Sequence, residues 1–84
     1  MKVYILRNDW LISSVERHDI IGVFLKKEDA GLVMQTDYID FSKEHNDWEY
    51  TEEGEGYLSL SDREVFPDNW CEWRIEEYEV QDHV

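Results

Sequence analysis

The hydrophobic positions of this 84-residue chain change period along its length, and each change marks an element. From Lys2, "KVYILRN" is an apolar run with Val3 and Ile5 on one side and Tyr4 and Leu6 on the other, the pattern of a central strand. "DWLISSVERHD" then mixes Trp10, Leu11 and Ile12 with polar residues, and Ser13-Ser14 is the expected turn. "DIIGVFLKK" predicts a second strand, with Ile21, Val23 and Leu25 on one face, Ile20 and Phe24 on the other, and Gly22 at a bulge or close backbone approach. It is expected to pair antiparallel with the first.

In "KKEDAGLVMQTDYI" the spacing becomes helical. Glu28 and Asp29 fall in the first turn, where the helix dipole favours acids, and Ala30, Val33, Met34 and Tyr38 share a face. Gly31 costs roughly 1 kcal/mol relative to Ala, so this helix depends on packing against the sheet. Trp48 to Thr51 and Tyr57 to Leu60 alternate on either side of Gly54 and Gly56, which predicts a hairpin. "SDREVF" has Ser61 and Glu64 at capping-box spacing, predicting a short helical turn that Pro67 ends. In "WCEWRIEEYEVQ" the residues Cys71, Trp73 and Ile75 share one parity and Tyr78 and Val80 the other; a bulge at Glu76 or Glu77 would turn both sets inward. The expected architecture is α+β: a small antiparallel sheet, one helix packed on one face and an acidic hairpin insertion, in a single domain over residues 1–84.

"MKVYILRND", "DIIGVFLKKEDA" and "WRIEEYEVQDH" together resemble a small, largely uncharacterised bacterial and phage domain family. Its members open with a KVYhL strand, pass through an h-IGVa-S-x-EEA strand-to-helix junction and end in an h-x-x-YEV/L-D strand with an acidic or histidine tail. The matching positions are Lys2 to Leu6, Ile20 to Phe24, Glu28 to Ala30 and Ile75 to Asp82, about half of the chain. The resemblance implies a β-β-α-β arrangement and supplies neither catalytic residues nor a function. The chain departs from that pattern between Ser42 and Asn69, where the family has a short link and this sequence an enlarged acidic insertion.

Charge sharpens the picture. Residues 1–43 carry seven acids and six bases, whereas residues 44–84 carry fourteen acids and two bases, so nearly all of the net charge of −13 lies in the second half. Such a field repels nucleic acid and anionic membranes and attracts basic surfaces. Four Trp, five Tyr and three Phe are too many for a disordered acidic tail and point to a folded core. With Cys71 alone no intrachain disulfide is available, and the four-residue apolar run in "MKVYILRND" is shorter than a signal peptide requires; both favour a cytoplasmic protein.

Chemistry is sparse. His18, His45 and His83 are far apart with no metal-ligand spacing, and Cys71, between Trp70 and Trp73, reads as a buried thiol. Setting Gly54 at the sixth position of a calcium loop places Leu60 at the twelfth, where a bidentate carboxylate is required. Neither a metal nor any other cofactor is expected, and no nucleophile–base pair or phosphate-binding loop suggests an enzyme.

The remaining signal is the acidic surface. In a strand, residues i and i+2 lie about 6.6 Å apart on one face, so Glu77 with Glu79, and Glu53 with Glu55, would space negative charge regularly. With Asp47, Glu49 and Glu52, and with Trp48, Tyr50 and Tyr57 as apolar anchors, they form a candidate partner-binding surface. The reading is a non-enzymatic inhibitor, phage- or mobile-element-encoded. It would imitate DNA, in the anti-CRISPR manner, to occupy the basic surface of a host nucleic-acid-binding defence protein. The competing readings are a structural module forming a homodimer through a strand edge, with the acids only solubilising it, and an antitoxin or immunity protein.

Overall fold

A computed structural model describes residues 1–81. Strand β1 (Lys2–Ile12) turns through Ser13-Ser14 into β2 (Val15–Phe24), helix α1 (Lys27–Glu44) follows, then the hairpin β3 (Tyr50–Gly54) and β4 (Tyr57–Ser61), and finally β5 (Trp70–Glu79). All neighbours in the five-stranded sheet are antiparallel, in the order β2-β1-β5-β4-β3. The fold is therefore α+β, with a small sheet and one helix. The β-β-α-β order is present, with β3 and β4 added between helix and last strand.

The register explains which residues face the helix. Leu6 lies opposite Ile75, Asn8 opposite Trp73, and Trp10 opposite Cys71, while Leu58 and Leu60 continue these rows across β4. Leu6, Cys71, Trp73, Leu58 and Leu60 are buried on this face. Against them α1 lays Ala30 and Met34, then Tyr38 and Phe41, at the spacing of one helical stripe. The rings of Tyr38 and Phe41 each meet Trp73 edge-on at 5.5 Å, and the Trp73 indole N–H donates to Asp37 at 2.7 Å. Val33 lies at the margin of this stripe, 36% exposed. No helix among the described residues is long and apolar enough to cross a membrane.

Several local expectations change. Trp10, Leu11 and Ile12 belong to β1, because Leu11 pairs with both Glu16 and Trp70. In β2 the bulge falls at Ile21: Leu6 faces Gly22 and Arg7 faces Ile20, leaving Ile21 as the extra residue. A Cβ on Gly22 would stand 3.0 Å from the Phe24 ring, so glycine lets that ring fold back across the strand. The bulge expected at Glu76 or Glu77 is absent, since β1 and β5 stay in unbroken register from Lys2–Glu79 to Leu11–Trp70. Tyr78 and Val80 are exposed and do not join the core; Tyr78, opposite Val3, lies on the face away from the helix. Residues 61–66 form no helical turn: the Ser61 hydroxyl donates to the Arg63 carbonyl and does not cap an N-terminus.

Candidate protein-binding surface

The sheet face away from the helix is uncovered along most of its length. At one end the loop 62–69 folds over it, and the space between this loop and β3, β4 and β5 is a groove of about 460 Å³. Strand parity puts Tyr50 and Glu52 of β3, Tyr57, Ser59 and Ser61 of β4, and Trp70 and Glu72 of β5 on that face. Glu49 precedes the first of these strands, and Glu64 and Pro67 reach the groove from the loop. Four carboxylates thus surround a floor containing three aromatic rings and two serine hydroxyls.

The loop is held in a fixed shape. The Asp62 carboxylate accepts the backbone N–H groups of Asp68 and Asn69 at 3.1 and 3.2 Å and the Asn69 amide at 2.9 Å; Arg63 pairs with Asp68 at 2.7 Å. Burial opposes ionisation of Asp62, but the donors from Asn69 and Asp68 outweigh it and hold its pKa below the usual carboxylate value. At the tip, Phe66 takes φ +51°, a conformation unusual for an aromatic residue, and is 87% exposed. The loop therefore presents a large apolar side chain beside the acidic groove.

The carboxylates of the groove differ in their partners. Glu72 accepts the Tyr57 hydroxyl at 3.2 Å and lies 3.9 Å from the Arg74 guanidinium, which sits 5.7 Å from the centre of the Tyr57 ring. Burial comes first among the causes that push the Tyr57 hydroxyl pKa up. Among the described residues Glu49, Glu52 and Glu64 make no ion pair. Arg74 shows within the chain itself how a guanidinium engages one of these rings and one of these acids.

Of the ten residues nominated from sequence, Glu49, Tyr50, Glu52 and Tyr57 meet at the groove. Asp47 lies in the turn before β3. Trp48 is half-buried against the core: its ring lies 5.5 Å from Phe41 and 4.5 Å from His45, extending the aromatic row beneath the helix end and away from the groove lining. Glu53 and Glu77 are on the helix side of the sheet, opposite Leu58 and Tyr4, and so is Glu79, opposite Lys2. Glu55 pairs with Lys27 at 2.7 Å, Glu77 with Lys2 at 3.6 Å, and Glu79 with the N-terminal ammonium at 3.0 Å. The hydrogen bond from Lys27, then its charge, lowers the Glu55 pKa. These three acids are thus matched by the chain's own cations, and none of them lines the groove.

Glu64, Trp70 and Glu72 were not nominated, although the parity of "WCEW" already separates Trp70 and Glu72 from the core pair Cys71 and Trp73. Nothing comparable marked Glu64, whose position depends on how the loop folds over the sheet. Among the described residues no group of three or more His, Cys, Asp or Glu could hold a metal ion. No family model matches the chain, and no curated protein or solved structure matches it.

Proposed function

We propose that the protein is a non-enzymatic inhibitor that docks its acidic groove onto the basic surface of a nucleic-acid-binding protein. The observation that carries this reading is the grouping of the unpaired carboxylates of Glu49, Glu52 and Glu64 around Tyr50, Tyr57 and Trp70, with Phe66 presented on the adjoining loop. Carboxylates supply attraction and orientation, while aromatic rings stacked by arginine and a Phe inserted in a pocket supply the desolvated contacts that dominate affinity. A surface that grips phosphates is rich in arginine and lysine, so it complements this groove in sign and in chemistry.

In the finer form of the proposal the partner is a host defence nuclease and the protein a phage or mobile-element product acting in the cytoplasm as a DNA mimic. The test is a competition assay in which the chain displaces duplex DNA from such a nuclease. Displacement is expected at low ionic strength, with steep weakening as salt rises, and is expected to be lost in the variant Glu49→Gln, Glu52→Gln, Glu64→Gln. Displacement that ignores salt, or a triple variant as potent as the wild type, refutes it.

A further inference from the structure

The sheet has two edges, and charge blunts them unequally. Strand β3 is five residues long, contains Glu52 and Glu53, and is flanked by Glu49 and Glu55. A second copy laid along it would meet those carboxylates with its own. Strand β2 is ten residues long, and every residue from Val15 to Ile21 is exposed. Its side chains alternate in sign through Glu16, Arg17 and Asp19, and it leaves Ile20 62% and Val15 54% exposed. A long edge with exposed apolar residues and no single-sign charge lacks the usual protection against strand pairing.

We propose that β2 pairs antiparallel with β2 of a second copy about a two-fold axis through His18, fusing two five-stranded sheets into one of ten strands. With the axis normal to the sheet, both helices lie on the same side, and only residues of like parity face each other across the junction. Centring on His18 sets Arg17 of each copy opposite Asp19 of the other, and Glu16 opposite Ile20. Sliding to the next allowed register in one direction sets Arg17 against Arg17, and in the other Asp19 against Asp19. The pattern of charge therefore selects one register.

Other features agree with that register. The bulge at Ile21 interrupts regular pairing and so bounds the ladder at Val15–Ile21. At the axis each His18 ring is already held by its own chain, Nδ1 at 2.7 Å from Asp9 and Nε2 at 3.3 Å from Glu16, so carboxylates flank both rings where they meet. The groove lies across β3, β4 and β5, away from this edge, and stays open on both copies.

Sedimentation velocity of the full chain over a wide concentration range, with two single variants, tests the proposal. Wild type is expected to sediment as a dimer. Arg17→Asp and Asp19→Arg each turn two attractive pairs into two repulsive ones and should each weaken self-association about tenfold or more. An equimolar mixture of the two variants restores opposite charges at both positions, so it should dimerise although neither variant does alone. That recovery also shows that the variants are folded. A wild type that stays monomeric throughout, single variants that dimerise like the wild type, or a mixture that stays monomeric would each overturn the proposal.

Discussion

At residue scale, burial pushes the Cys71 thiol up to about 12; the Asn8 side chain, donating at 3.1 Å, opposes this only in part. The thiolate is the reactive form, so a thiol reagent near neutral pH should label Cys71 only as fast as the chain opens, and labelling at the rate of a free exposed thiol would contradict its burial. The turn between β1 and β2 carries a different cost. Ser13 and Ser14 both take positive φ, 52° and 68°, the primed geometry that Asn-Gly adopts with less strain. Ser13→Asn with Ser14→Gly is expected to raise stability by about 1 kcal/mol, read as a higher Tm; an unchanged Tm would show that the turn is not strained. The indole N–H of Trp73 depends on Asp37, so Asp37→Ala should cost about 1–3 kcal/mol in denaturant unfolding, whereas Asp37→Asn keeps an acceptor and should cost less. Parity places Cys71 and Trp73 in the core but does not reveal Asp37 as the partner of the Trp73 indole, because that contact joins residues 36 apart.

The elements legible in the sequence are those with a clear period: β1, α1 and β4, whose apolar stripes are covered by a neighbour, and the later half of β2 and β3, whose alternation is plain although most of their side chains are exposed. Structure and pattern part where an apolar residue does not face inward. A bulge near Tyr78 and Val80 follows only if every apolar residue must turn toward the helix; both stay exposed, Tyr78 on the open face. Ser61 and Glu64 matched a capping box, yet the Asp62 carboxylate captures the N–H groups of Asp68 and Asn69 and closes a loop in place of a helical turn. The first half of β2 has almost no apolar signal; pairing with β1, through contacts such as Asp9 with His18, holds it in the sheet. The hydrogen bond to Asp9 is the largest cause raising the His18 pKa above its usual 6.5, so charged His18 stabilises the folded hairpin. Its contribution is complete below that value and is lost as pH rises through the higher folded pKa. Amide exchange in β1 and β2, corrected for its intrinsic pH dependence, should therefore show weaker protection above that pKa, and His18→Gln should abolish the step.

On the scale of the whole molecule, an extended body of 51 × 22 × 19 Å separates two electrical environments. The N-terminal ammonium, Lys2 and Lys27 meet Glu79, Glu77 and Glu55, whereas of the groove acids only Glu72 has a cation, Arg74, and Glu49, Glu52 and Glu64 make no ion pair among the described residues. The sequence showed that the second half is acidic but not this division, because β5 carries Glu72 into the groove and Glu77 and Glu79 away from it. Two triple variants with the same change in net charge separate the environments. Glu49, Glu52 and Glu64 repel their neighbours, so changing all three to Gln should raise the Tm at low salt and reduce its dependence on salt. Glu55, Glu77 and Glu79 each face a cation, so changing these to Gln removes attraction and should leave the Tm unchanged or lower it. If the two variants shift the Tm alike, net charge alone governs stability and the groove holds no special concentration of repulsion. If they diverge as expected, the same proteins discriminate in the displacement assay: the groove variant should lose potency while the variant of the paired acids keeps it, since only unpaired carboxylates remain available to a partner's arginines and lysines.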